Sequence, residues 1–239
     1  NSNTDKLTIN DAAYNVITSV AELIGLSSTS MIENYALGAN LDFTDAANFA
    51  PIASLSANVN FNGLGHTITG MNIAGAGAAN TGMFKVAGAD SDIRNVGLVA
   101  GVVSGGGAGT GGLIGSGTSG TVSNSYNTGT VTGAAGTGGL VGNMTTGKIL
   151  NSFAAGAVTG AAGVGGLVGA MTTGLVDKSY ATGNVVGAAG TGGLVGSSTG
   201  LVSGSYAEGT VDGNAGTGGL IGASTGSVSG SYAKGDVEG

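Results

Sequence analysis

The chain has 239 residues, of which 52 are glycine, one is proline and none is cysteine or tryptophan; 8% are charged and the formal net charge is −7. Six basic residues cannot build the cationic stripe that nucleic acid requires, the lack of cysteine removes thiolate metal sites and a disulfide framework, and no apolar run approaches the roughly 18 residues of a membrane span. So much glycine often accompanies disorder, but 41% apolar residues spaced at a strict period imply an ordered repetitive fold.

Residues 1–34 read as an N-terminal cap. No leader is visible at Asn1, so any export signal is expected to have been removed or to lie outside this sequence. Ser19 followed by Glu22 forms a capping-box pattern, with Val20, Leu23 and Ile24 apolar and Gly25 able to end the helix. A short helix here would cover strand edges that a terminal lap leaves unpaired. Residues 35–110 read as irregular laps. Leu37 to Phe43, Val59 to Phe61 and Thr67 to Ile73 are strand-like runs, with turns at Asn62-Gly63 and Gly70. Residues 81–110 form one irregular lap, carried by Thr81-Gly82-Met83-Phe84, Ile93 to Leu98 and Val102.

Residues 111–239 hold five repeats. Gly-Gly-Leu-Ile/Val-Gly returns with Leu113, Leu140, Leu167, Leu194 and Leu220. In step with it run Tyr126, Phe153, Tyr180, Tyr206 and Tyr232, each preceded by Ser, and then Val131, Val158, Val185, Val211 and Val237. Lockstep of this kind means one supersecondary unit copied and stacked. Glycine inside nearly every window costs a helix about 1 kcal/mol each time, whereas short strands joined by glycine turns accommodate it. A lap of 26–27 residues fits three strands of about four to six residues and three turns, advancing about 4.8 Å along the axis. The fold class is all-β: a right-handed parallel β-helix with a short N-terminal helix. The Leu, Val and aromatic series are its stacked ladders, together with Val122, Ile149, Val176, Val202 and Val228. Gly115, Gly142, Gly169, Gly196 and Gly222 mark positive φ or close approach of backbones. The last lap stops at Asp236-Val237-Glu238-Gly239, which suggests either a piece of a longer chain or an end covered by another copy.

Two positions resist simple alternation. Asn124, Asn151, Lys178, Gly204 and Gly230 lie between the Val and aromatic series, and a lysine there is a poor interior residue, so a bend or bulge is expected after the Val. Ile114, Val141, Val168, Val195 and Ile221 directly follow the Leu series, so either the chain turns between them or this second column lies outside.

Gly192-Gly193-Leu194-Val195-Gly196 and Ser179-Tyr180-Ala181-Thr182-Gly183-Asn184-Val185 resemble GLUG repeats. Tyr35 to Asp42, Phe49-Ala50-Pro51-Ile52 and Phe61 to Ile68 are similar to the region preceding such repeats in filamentous-haemagglutinin-like adhesins of Gram-negative bacteria. The resemblance covers the chain from about Tyr14. It implies an extracellular or cell-surface, noncatalytic stalk for attachment or biofilm cohesion, whose partners would be host cells, abiotic surfaces or matrix glycans. Related repeats occur in streptococcal IgA-type metallopeptidases, but this chain lacks His-Glu-x-x-His. Its one proline, Pro51, does not follow asparagine, unlike the Asn-Pro motifs of two-partner secretion domains. Two alternatives are a subunit of a self-assembling extracellular filament, with end-to-end association, and a glycan-processing β-helix enzyme.

No catalytic residue, cofactor or metal site is assigned. His66 stands alone and reads as structural. Asp42 with Asp45, and Asp90 with Asp92, are the nearest approach to the paired carboxylates of glycosidases, and read as solvated turn residues. Asp177, Asp212 and Asp236 do not recur at the fixed position a calcium-binding β-roll needs. Thr145-Thr146, Thr172-Thr173, Thr199 and Thr225 suit solvent-facing turns, and Val164 interrupts the neighbouring Thr137, Thr191 and Thr217 series. The aromatic series is expected in the core, because Phe153 replaces a tyrosine and keeps only the ring.

Overall fold

A computed structural model describes residues 6–239; residues 1–5 of the expected cap lie outside the described residues. The molecule is a parallel β-helix. Eight strands along one sheet, from Ser30–Met31 to Ile221–Ser224, mark its successive laps. Equivalent residues stack in register: Val122 pairs with Ile149, Ile149 with Val176, Val176 with Val202 and Val202 with Val228.

One lap shows how sequence sets path. Val141–Met144 runs in the first sheet, Lys148–Leu150 in the second, Phe153–Ala154 in the third and Val158–Thr159 in the fourth. A fifth strand, Val164–Gly165, belongs to a four-stranded inner sheet of the Thr110, Thr137, Val164 and Thr191 segments. The lap therefore has five strands of two to four residues, where three longer ones were expected. Strands this short leave about half of the lap in corners, where Gly147, Gly156, Gly160 and Gly163 sit.

The Leu series is inward: Leu113, Leu140, Leu167 and Leu194 are fully buried, and so are Ile114, Val141, Val168 and Val195 beside them. Both columns are inward because the chain bends at Gly112-Leu113 and at each equivalent Gly-Leu pair. Val131, Val158, Val185 and Val211 are buried as well. Leu220 is half-buried, and Val237 and Val228 are 46% and 49% exposed, because no lap stacks on theirs within these 239 residues.

Gly142, Gly169, Gly196 and Gly222 do not take positive φ; they are points of close approach. A Cβ at Gly169 would lie 2.4 Å from the Gly136 carbonyl carbon and 2.6 Å from Thr137 N, and the same clash recurs at Gly142, Gly196 and Gly222 against the preceding lap. The inner Thr-Gly strand thus lies directly on the backbone of the first sheet. Thr137 and Thr191, read beforehand as part of a turn series, are fully buried, as is Thr110 one lap earlier. A buried hydroxyl without a partner is costly; Thr137 and Thr191 donate to Ala134 O and Ala188 O at 2.9 and 3.1 Å, whereas Thr110 Oγ1 has no hydrogen-bond partner among the described residues. Val164 fills the same position with a methyl in place of the hydroxyl and is equally buried.

At the N-terminal end, Ala12–Ile17 already pairs in parallel with Asn34–Leu37, so the solenoid's first strand lies inside residues 1–34. Lys6–Ile9 pairs antiparallel with Ala12–Ile17 and edges the sheet. The helix Val20–Gly25 has its capping box formed, with Ser19 Oγ accepting from Glu22 N and Glu22 Oε2 accepting from Ser19 N. Leu23 on that helix is fully buried over the core.

Candidate functional surface

The aromatic series forms the most ordered feature of the outer surface. The residue before each Ser-aromatic pair, namely Asn124, Asn151, Lys178, Gly204 and Gly230, has φ between 48° and 56°. This left-handed corner suits Asn and Gly and shifts the strand phase by one position. Its consequence reverses the expected placement of the rings. Ser125, Ser152, Ser179 and Ser205 point inward and are buried, as are Asn127, Ala154, Ala181 and Ala207, while the aromatic between them points outward. Tyr126, Phe153, Tyr180 and Tyr206 are half-buried, and Tyr232 is 45% exposed.

The rings stack on one another. Successive centroids are 4.7, 4.8, 4.8 and 5.3 Å apart, with interplanar angles of 2° to 5°. Stacked pairs contribute about 0.5–1.5 kcal/mol each beyond burial. At the start of the stack Tyr126 leans over Gly97, where an added Cβ would lie 2.3 Å from Tyr126 Cζ. At its end the Lys234 ammonium sits 5.1 Å from the Tyr232 centroid and 3.4 Å from Glu208 Oε1, the carboxylate that holds the lysine pKa above its ordinary value. Face-to-face stacking leaves ring edges and hydroxyls toward solvent. Sugar rings that stack on aromatic faces find no free face between Tyr126 and Tyr206. Burial, followed by the neighbouring Tyr180, pushes the Tyr206 phenol pKa up.

Beneath the rings, the serines form a hydrogen-bond column that was not anticipated, although the Ser-aromatic pair was plain in the sequence. The N–H of Ser125 donates to Ser152 Oγ at 3.2 Å, Ser152 to Ser179 and Ser179 to Ser205 at 3.1 Å, and Ser205 to Ser231 at 3.0 Å. Each Oγ in turn donates to the carbonyl two residues earlier.

The candidate carboxylates do not face each other across a groove. Asp42 accepts from the hydroxyl and backbone N–H of Thr44, which hold its pKa below the ordinary range; Asp45 is exposed. Asp90 occupies an exposed turn at φ 55°. Asp92 is paired with Arg94 on its own strand, and Arg94 also donates to Tyr14 Oη at 3.3 Å. His66 Nδ1 lies 3.1 Å from Asn40 Oδ1, which also accepts from Thr67 N. Among the described residues no group of three His, Cys, Asp or Glu could hold a metal ion, and no helix is long and apolar enough to cross a membrane. Thr145, Thr146, Thr172, Thr173, Thr199 and Thr225 are exposed in stacked turns, several donating their hydroxyls to carbonyls of the preceding lap. A shallow groove of about 300 Å³ lies beside Thr172, Thr199 and Thr225, lined also by Met171, Ser198 and Ser224.

No protein-family model and no curated protein sequence matches the chain. Among solved structures it is similar to a putative immunoglobulin A1 protease from Bacteroides ovatus, with a TM-score of 0.62 and 19% identity over 93% of this chain and 84% of that one. At that identity the likeness is one of fold, and it agrees with the lap-by-lap pairing: the chain is a parallel β-helix, a rigid solenoid.

Proposed function

We propose that this chain is a noncatalytic β-helical stalk of an extracellular or cell-surface adhesin, contributing to attachment or biofilm cohesion by holding other surfaces at a fixed distance. The observation that carries the reading is the uninterrupted lap-to-lap pairing from Ala12 to Glu238. It has no hinge of unpaired chain, and a stalk needs stiffness above all. The carboxylates support the same reading, since each of Asp42 and Asp92 is tied to a neighbour in its own turn or strand. In this proposal the partners are host cells, abiotic surfaces or matrix glycans touched by multivalent contact. The similarity to a putative immunoglobulin A1 protease fits a solenoid that carries a separate functional unit.

Filament assembly is the second reading, favoured by the exposed Val228, Tyr232 and Val237 of the last lap. It is opposed by the other end, where an antiparallel edge strand and a buried helix residue, Leu23, do not complement an open parallel lap. Small-angle scattering of the 239-residue chain over a range of concentrations tests both. A stalk gives a concentration-independent rod roughly 40 Å long, from eight laps at ~4.8 Å. Growth in length with concentration replaces the stalk by the filament.

A further inference from the structure

The outer stack contains three tyrosines in immediate succession, Tyr180, Tyr206 and Tyr232, whereas Tyr126 is separated from them by Phe153. Their backbones pair in register on parallel strands, so neighbouring Cα atoms lie about one strand spacing, ~4.8 Å, apart. The ring centroids are 4.8 and 5.3 Å apart. Ring edges reach solvent while Ser179, Ser205, Ala181 and Ala207 anchor the backbone from inside. Rotation about the side-chain torsions alone can bring ortho carbons of adjacent rings together. The chain also has no cysteine and no tryptophan, so a phenoxyl radical formed here has no thiol or indole in its own chain to drain to.

We propose that Tyr180, Tyr206 and Tyr232 are a site of oxidative cross-linking, where a peroxide-dependent one-electron oxidant joins tyrosines of neighbouring laps ring to ring. One hydrogen peroxide removes a hydrogen atom from each of two phenols and is reduced to two waters. The two phenoxyl radicals form one carbon–carbon bond between ortho positions. The ortho hydrogens then move to the phenolic oxygens, restoring two phenols and leaving the pair lighter by two hydrogens. The product staples one lap to the next on the outer surface, leaving the buried ladders in place. The inference rests on the ring geometry and is independent of the stalk reading.

The test treats the 239-residue chain, at several dilutions, with a haem peroxidase and hydrogen peroxide, and maps linked peptides by mass spectrometry after proteolysis. The expected result is Tyr180–Tyr206 and Tyr206–Tyr232 links in the monomer fraction, at a yield independent of protein concentration, with Tyr126 unlinked. Tyr206→Phe keeps the ring, as Phe153 does in the same stack, and leaves Tyr180 and Tyr232 two laps apart; links within the chain should fall to background. Phe153→Tyr should add links from residue 153 to Tyr126 and Tyr180. The proposal is overturned by an absence of links within the wild-type chain, by links only between molecules, or by an unchanged yield in Tyr206→Phe. Circular dichroism of each variant confirms that the comparison is made on folded protein.

Discussion

Two glycines in the same sheet should respond oppositely to the same substitution. Gly117 has nothing within 4 Å of a built Cβ and no positive φ, and it stands in the column that Met144 and Met171 fill in the next two laps. Gly117→Ala should raise stability by about 0.5–1 kcal/mol, chiefly by restricting the unfolded chain. Gly169 faces backbone at 2.4 Å, and backbone cannot swing aside as a side chain can, so Gly169→Ala should lower stability by about 1–3 kcal/mol. Denaturant midpoints moving up for the first and down for the second are the expected pair. A neutral Gly169→Ala would mean that the inner Thr-Gly strand does not press on the backbone of the first sheet.

Among the elements, the serine column and the N-terminal helix lend themselves to measurement. Ser179→Ala removes the acceptor of the Ser152 N–H in a buried position, and an unsatisfied buried donor costs about 1–3 kcal/mol. The matching change at Ser231, which is only half-buried, should show a smaller loss in the same unfolding experiment. The helix responds to acid. The Thr18 backbone N–H, donating to Glu22 Oε2 at 2.7 Å, is the main cause of the depressed Glu22 pKa. A carboxyl depressed in the folded state contributes stability above its unfolded pKa, near 4.3, and loses it as pH falls through the lower folded value. Protection of the Thr18 and Ser19 amides, measured against their intrinsic exchange rates, should therefore fall in acid below about pH 4, and Glu22→Gln should remove that pH dependence. The capping box and the Leu and Val ladders were legible beforehand, because Ser19 and Glu22 stand three apart and because Leu113 to Leu194 recur at one spacing. The side on which the aromatics lie was not. It depends on a left-handed corner whose occupants include Lys178, a residue that does not advertise positive φ. Nor was the inner strand, since a two-residue element such as Thr137–Gly138 has no room for a periodic pattern.

For the molecule as a whole, stability in a stacked array is a sum of lap and interface terms, and a lap with a neighbour on one side only has half of the interfaces. Hydrogen exchange should be slowest around Ile149 and Val176, which are fully buried with laps on both sides, and fastest around Val228 and Val237, which are not. Uniform protection along the chain would show instead that the solenoid opens all at once.

The corner between Met171 and Leu175 holds three residues, Thr172, Thr173 and Gly174, whereas the next lap spans the same gap between Ser198 and Leu201 with two, Thr199 and Gly200. The strands on both sides keep their partners across this change. Upstream the same happens elsewhere in the lap: Leu98 pairs 29 residues ahead with Asn127, and Val103 pairs 28 ahead with Val131. Repeat length is thus a property of the corners and not of the core. A corner that can lose a residue without disturbing its neighbours can also gain them, so the Thr-Thr-Gly turn is a natural graft point. Lineages of such a protein can diversify what they display along the shaft by lengthening single corners, without altering the interior that keeps it straight.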